Sequence, residues 1–259
     1  MLSQLGKMGI IPRAMQLSEE KMTIPAVRQV PPRPRLSDLI LTGLPTFHST
    51  MLCGRAGTGK TVLAVECARR CERRIAWYTV DALDNDHRNF LRYLTISIGR
   101  QLPELEVSQM VAFSEQSHLG DLEVAAEMLV YRLIEFVDTS LLIVIDDLHL
   151  VYDSPWMIPF FGRLLPLLPP RVHLLFAGRS LPPTPLWRMR SKQNLNVLDE
   201  TVLAFTYEET AALLEHYKVS LKSSEQSIEE VLNQTRGRAA KIEEIAANLA
   251  RNRQGWTAA

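Results

Sequence analysis

The stretch Gly54-Arg-Ala-Gly-Thr-Gly59-Lys60-Thr61 constrains this chain more than any other. It follows the short apolar run 48–53 and opens the helically spaced run 60–72, so it reads as a strand, a glycine loop and a helix start. That arrangement is a phosphate cradle. Glycines let backbone amides approach an anion, and the helix N-terminus adds positive potential. Gly54, Arg55, Ala56, Gly57, Thr58 and Gly59 form the loop, with Val62 just inside the helix. Lys60 is placed to neutralise β and γ phosphate oxygens, and Thr61 to offer its hydroxyl to Mg2+.

A second motif completes the first. In "LLIVIDDLH" apolar residues run up to Asp146 at the C-terminal end of a strand, where ligands bind in open α/β sheets. Asp146 is the second expected Mg2+ residue beside Thr61. Asp147 either polarises an attacking water, with a reach one methylene shorter than Glu and hence slow turnover, or caps the following turn. Arg179 ends "RVHLLFAGR" and is either a γ-phosphate sensor or a surface arginine. Asp81, Asp84 and Asp86 follow the second strand and suit either site contacts or turn capping. His149 has no metal partner in the pattern and reads as structural.

Strands are expected at 48–53, 74–81, 140–147, 171–179 and 195–200, and helices at 60–72, 87–102, 121–138 and 155–168, the last interrupted by its prolines. Asp121 stands where it would cap the third helix. The alternation argues a parallel sheet flanked by helices on both faces. "SLLIVIDD" is apolar almost throughout, as a strand covered on both sides must be. After Phe205 the pattern turns to three helices, with Thr206 and Ser224 as candidate caps. The expected division is a leader, 1–29, a nucleotide-binding core, 30–204, and a small helical lid, 205–259. "VPPRPRL" at 30–36 reads as an extended strap that its prolines keep from being helical.

Lys+Arg and Asp+Glu balance at 29 each, so no global basic field points to nucleic acid. The basic clusters of note are 190–193 and Arg236 with Arg238. No run of 18 apolar residues spans a membrane. Cys53, Cys67 and Cys71 lack further ligands for a metal and read as reduced thiols of a cytoplasmic protein. Trp77, Trp156 and Trp187 read as packing residues.

In order and spacing, "PPRPRL", "CGRAGTGKT", "IAWYTVDALDNDHRNFLRYL", "LLIVIDDLHLV" and "LPPRVHLLFAGRSLPPTPLWRMR" resemble the nucleotide-binding domain of MalT-like regulators. These are large ATP-binding LuxR-type activators of the STAND class. The resemblance covers roughly residues 30 to 250. It implies an ASCE-type P-loop core in which the strand bearing Arg179 lies between the two motif strands. It implies a helical lid over the adenine, and a strap contributing Arg33 and Arg35 to the adenine pocket. It also implies a switch in which ADP holds a closed monomer and ATP permits self-assembly. "TRGRAAKI", 235–242, is similar to the family's "TxGxPxxL" turn, with Ala239 in place of the proline. Further sensor or DNA-binding modules belong to such regulators.

Two function classes lead on the motifs, ahead of a non-enzymatic scaffold that keeps nucleotide only as structural filling. One is an ATP-binding, slowly hydrolysing signalling switch. The other is an AAA-type ATPase helper acting on nucleic-acid complexes, which needs an arginine offered to another copy, with Arg163 or Arg171 as candidates.

Overall fold

Five parallel strands form the centre of the computed structural model, which describes residues 17–188, 195–219 and 227–256. They are β1 (Ser49–Cys53), β2 (Arg74–Thr79), β3 (Leu141–Asp146), β4 (Val172–Gly178) and β5 (Leu195–Leu198), in the order β2-β3-β4-β1-β5. β4, which leads into Arg179, therefore lies between the strands of the two motifs. Cys53 pairs with Gly178 and Thr79 with Asp146, so the C-terminal ends stand at one edge.

The alternation of strand side chains builds two cores. Leu141, Ile143 and Ile145 of β3 join Val172, Leu174 and Phe176 of β4 on one face. Leu142 and Val144 join Leu175 and Ala177 on the other. The first face is covered by α3 (His87–Gly99), α4 (Val107–Gln116), α5 (Leu122–Phe136) and α6 (Met157–Leu167). An aromatic cluster centred on Phe90 seals it, with the Trp156 ring centroid 4.4 Å away. The second is covered by α1 (Pro34–Gly43) and α2 (Lys60–Arg70). Trp77 and Trp156 are each 1% exposed and pack as expected. The side chain of Trp187 and the cluster 190–193 lie outside the described residues.

Several local expectations are corrected. The proline strap does not exclude a helix: α1 begins at Pro34, because proline's missing N–H and fixed φ suit the first helical position. α6 runs unbroken, with Pro159 in the first turn, where no intrahelical donor is needed, and Pro166 in the last. Asp121 does not cap α5 with its side chain; its Oδ2 accepts from the N–H of His118, 2.8 Å away. α4 had no counterpart among the expected helices.

Two short helices flank β5, α7 (Thr184–Trp187) before the strand and α8 (Glu200–Leu203) after it. Then α9 (Tyr207–His216), α10 (Ile228–Thr235) and α11 (Ala239–Trp256) follow. Thr206 caps α9 as expected, accepting from Glu209 N–H while Glu209 reaches back to Thr206 N–H. Ser224 lies outside the described residues; α10 is capped by Ser227, whose Oγ accepts from Glu230 N–H. Leu213, Val231 and Ile242 make the small core of this unit, and Val30 of the strap packs into it.

The described part of the leader is fastened down. A 3-10 turn at Glu19–Met22 buries Met22 and lies along β2, the edge strand. Lys21 Nζ sits 2.8 Å and 2.7 Å from the two oxygens of Asp84, which is fully buried, and 4.2 Å from the Tyr93 ring centroid. No described helix is long and apolar enough to cross a membrane.

Candidate functional site: a phosphate loop beneath a helical lid

The loop between β1 and α2 needs its glycines. Gly57 (φ 81°) and Gly59 (φ 88°) lie in the left-handed region, where a side chain costs about 1–2 kcal/mol. Gly59 precedes α2 with no side-chain cap, leaving first-turn amides of an eleven-residue helix facing the loop. Lys60 is 7% exposed, and its Nζ donates to the carbonyls of Gly54 (2.6 Å) and Arg55 (3.1 Å). Burial pushes its pKa down, opposed by Asp147 and Asp146.

The two motifs converge. Thr61 donates its hydroxyl to Asp146 Oδ2 at 2.8 Å. Asp146 is 3% exposed, and burial raises its pKa against the Thr61 bond. Asp147 adopts φ 56°, ψ 28° and makes no side-chain cap, so the turn-capping alternative does not describe its carboxylate. Arg179 is exposed beyond Gly178, close enough for its charge to act on Lys60.

Asp81 and Asp86 take the capping alternative, accepting from Leu83 N–H and Arg88 N–H, while Asp84 holds Lys21. A part-buried hydroxyl–carboxylate pair, a buried lysine and a glycine cradle suit a magnesium-bound polyphosphate. At Gly57 an added Cβ would lie 2.6 Å from Ala240 Cβ. Thr61 and Asp146 would hold the metal.

A cavity of ≈ 190 Å³ adjoins the loop between core and lid. Gly57, Gly59, Val62 and Leu63 form its floor, Val30, Pro31 and Arg33 one wall, and Phe205, Leu213, Ala239 and Ala240 the lid side. Its apolar walls suit a flat base. Arg33 lines it, 4.0 Å over the Phe205 ring. The same guanidinium is tied to Glu209 at 2.6 Å and to the carbonyls of Leu203 and Ala204. Burial lowers its pKa despite Glu209. Arg35 is not among the lining residues; it clamps Glu209 and the carbonyls of Val202 and Ala204. Arg55 turns outward to Glu200.

The residue that sequence reasoning left unassigned is Arg238. Its Nε and Nη2 donate to the carbonyl of Ala56 at 2.9 and 2.5 Å, and Ala240 N–H donates to the carbonyl of Gly57 at 2.9 Å. The lid thus grips the back of the phosphate loop. Arg238 had shown only as part of a small basic cluster. Its neighbour Ala239, in the family's proline position, does line the cavity.

Comparison with known proteins agrees. The family model described as an AAA ATPase domain matches residues 36–176. The HTH-type transcriptional regulator MalT of Yersinia enterocolitica is 29% identical over 171 residues, 65% of this chain and 18% of MalT. The serine/threonine-protein kinase PknK of Mycobacterium tuberculosis is 30% identical over 188 residues, 70% of this chain and 16% of PknK. The chain thus spans less than a fifth of the length of these relatives. Among solved structures, a STAND protein with a tetratricopeptide repeat sensor from Pyrococcus horikoshii shares the fold. Its TM-score is 0.54 at 17% identity, over 85% of this chain and 30% of that one. With the strand order, the converging motifs and the family match on one core, this chain belongs to the AAA ATPase domain family.

Proposed function

We propose that the chain is a cytoplasmic signalling switch that binds ATP with Mg2+, hydrolyses it slowly, and changes its self-assembly with the nucleotide held. The observation that carries this reading is the double use of one loop. The loop leads into the uncapped first turn of α2, while the carbonyls of Ala56 and Gly57 hold Arg238 and Ala240 of the lid. A shift of the loop with the γ-phosphate therefore moves the lid's anchor. Thr61 and Asp146 would hold Mg2+, which would supply charge neutralisation to the phosphates. Lys60 leaves the Gly54 carbonyl for the β and γ oxygens, Arg179 senses the γ-phosphate, and Asp147 orients the attacking water. Arg33, with Val30 and Ala239, shapes the base pocket; Arg35 acts through Glu209.

The balanced charge suits a module whose DNA contacts, in a larger regulator, lie elsewhere. Arg163 is paired with Glu127 and Arg171 with the carbonyl of Asp138, so neither candidate for an arginine in trans stands free. The test is mass in solution with ADP against a non-hydrolysable ATP analogue. A larger species with the analogue is expected. Identical mass and shape in both would defeat the reading.

A further inference from the structure

We propose that the groove between the strap, α2 and α9 is a second ligand site, apart from the nucleotide site. Its ligand is a small organic anion, an apolar body with a phosphate or carboxylate head, held by Arg69 and Arg28.

The groove measures ≈ 590 Å³, within the range of metabolite-sized pockets. Val27, Val30, Pro31 and Pro32 of the strap face Val62 and Val65 of α2 across it and give it apolar walls. Arg28, Arg69 and Arg70 line it with His216 of α9. Glu66 is the acidic residue among the lining residues, and both of its oxygens are engaged. Oε2 accepts from Arg33 N–H at 3.1 Å, and Oε1 from the Ser37 hydroxyl at 2.7 Å, with Arg70 Nη1 3.6 Å away.

The carboxylates that answer the other cations lie outside the groove. Arg28 pairs with Glu243 and Arg70 with Asp38, and neither acid lines it. The Arg28 side chain is 81% exposed, so its pair is weak and the guanidinium can turn to a ligand at small cost. Arg69 is exposed in the last turn of α2 and has no hydrogen bond or ion pair among the described residues. A cation there complements the helix carbonyls, a service Arg70 already gives, and the donor fork of Arg69 stays unused. A free guanidinium over an apolar wall suits a carboxylate or phosphate, which it binds in two parallel bonds.

The groove shares Val30, Pro31, Val62 and Glu66 with the base cavity, but Gly57 and Gly59 line the base cavity alone. Arg69 is nine residues along α2 from Lys60, roughly 13 Å by helical rise. An anionic head on Arg69 is therefore separate from the polyphosphate, and the two ligands bind together.

The probes are phenyl phosphate and phenylacetate, titrated by ligand-observed NMR into the full chain, first without nucleotide and then saturated with ADP and Mg2+. Benzyl alcohol supplies the body without charge, and inorganic phosphate the head without body. With ADP bound, at least one aromatic anion is expected to bind with a Kd of about 1 mM or below, and both controls about tenfold more weakly. Arg69→Gln should weaken that binding roughly tenfold and leave ADP affinity within about twofold. Arg28→Gln should weaken it several-fold.

Binding lost on saturation with ADP would make the groove an arm of the nucleotide site and overturn the proposal. So would an Arg69→Gln variant that binds as well as wild type, or benzyl alcohol binding as tightly as the anions. If neither aromatic anion binds, the proposal fails, and a decapeptide of alternating Glu and Leu that then binds through Arg69 would assign the groove to a polypeptide. Any of these failures leaves the nucleotide switch standing, since mass in solution tests it independently.

Discussion

Substituting Gly57 with alanine separates the lid from the phosphate loop. Two costs arise. The first is local: at φ 81° an L side chain costs about 1–2 kcal/mol, whether the lid is docked or not. The second belongs to docking. The new Cβ would stand 2.6 Å from Ala240 Cβ, closer than two carbons can approach, and neither atom is at the end of a flexible chain. α11 must move. With it goes the bond from Ala240 N–H to Gly57 O, about 1 kcal/mol. The Arg238 bonds to Ala56 O go too, and as these are exposed they add less than a buried charged bond would. A loss of about 1–2 kcal/mol in lid docking follows, a factor of roughly ten in the docked-to-open ratio. The assay is amide hydrogen exchange at the start of α11, read against exchange in β3. Gly57→Ala should raise exchange near Ala240 and spare β3. Adding Ala240→Gly removes the clash but not the backbone strain, so it should restore protection without restoring overall stability. Unchanged exchange in Gly57→Ala, or no recovery in the double variant, would refute the grip of lid on loop.

Lys60→Ala should weaken triphosphate binding roughly thirty- to a hundredfold, the worth of about 2–3 kcal/mol of charge-assisted bonding, measured by titration calorimetry. Asp146→Asn should leave nucleotide affinity without Mg2+ within a few-fold and lower Mg2+-dependent phosphate release by an order of magnitude or more, about 1.4 kcal/mol per decade. His173 is fully buried in β4, donating from Nδ1 to the carbonyl of Phe47 and accepting at Nε2 from Thr50, and burial lowers its pKa to about 4. The unfolded chain takes up that proton near pH 6.5, so stability falls as pH drops from about 6.5 to about 4. The loss is about 3 kcal/mol, and urea titrations across that range should show it shrink in His173→Gln. Lys21→Met should cost about 3 kcal/mol by leaving the buried Asp84 uncompensated, and Lys21→Met with Asp84→Asn should cost less than the single change.

The sheet and the phosphate site were legible because each rests on local chemistry. β3 announced itself by apolar residues on both faces, and the loop by glycines that its backbone angles require. Thr61 and Asp146, 85 residues apart, could be paired in advance because both motifs end at the same edge of a parallel sheet. What stayed hidden depended on distant partners. Nothing near Arg238 says that it reaches Ala56, 182 positions away, and nothing near Lys21 says that it fills a socket made by Asp84 and Tyr93. Prolines misled at Pro34 and Pro159 because their effect turns on position within a helix, which pattern reading places only to within a residue or two. That Asp147 takes a left-handed conformation and makes no side-chain cap is something no spacing reveals.

The strap has a mechanical consequence. The chain bridges core and lid twice: once where Lys21 is seated at the sheet edge and Arg28 reaches Glu243 while Val30 enters the lid's own core, and again where 199–205 leaves β5. Arg33 and Arg35 knot the two crossings together through Glu209. A body hung from two adjacent tethers keeps one easy rotation and resists the others. An opening of α9–α11 would then be a swing about the line joining the crossings, carrying Ala239 and Arg238 away from the phosphate loop.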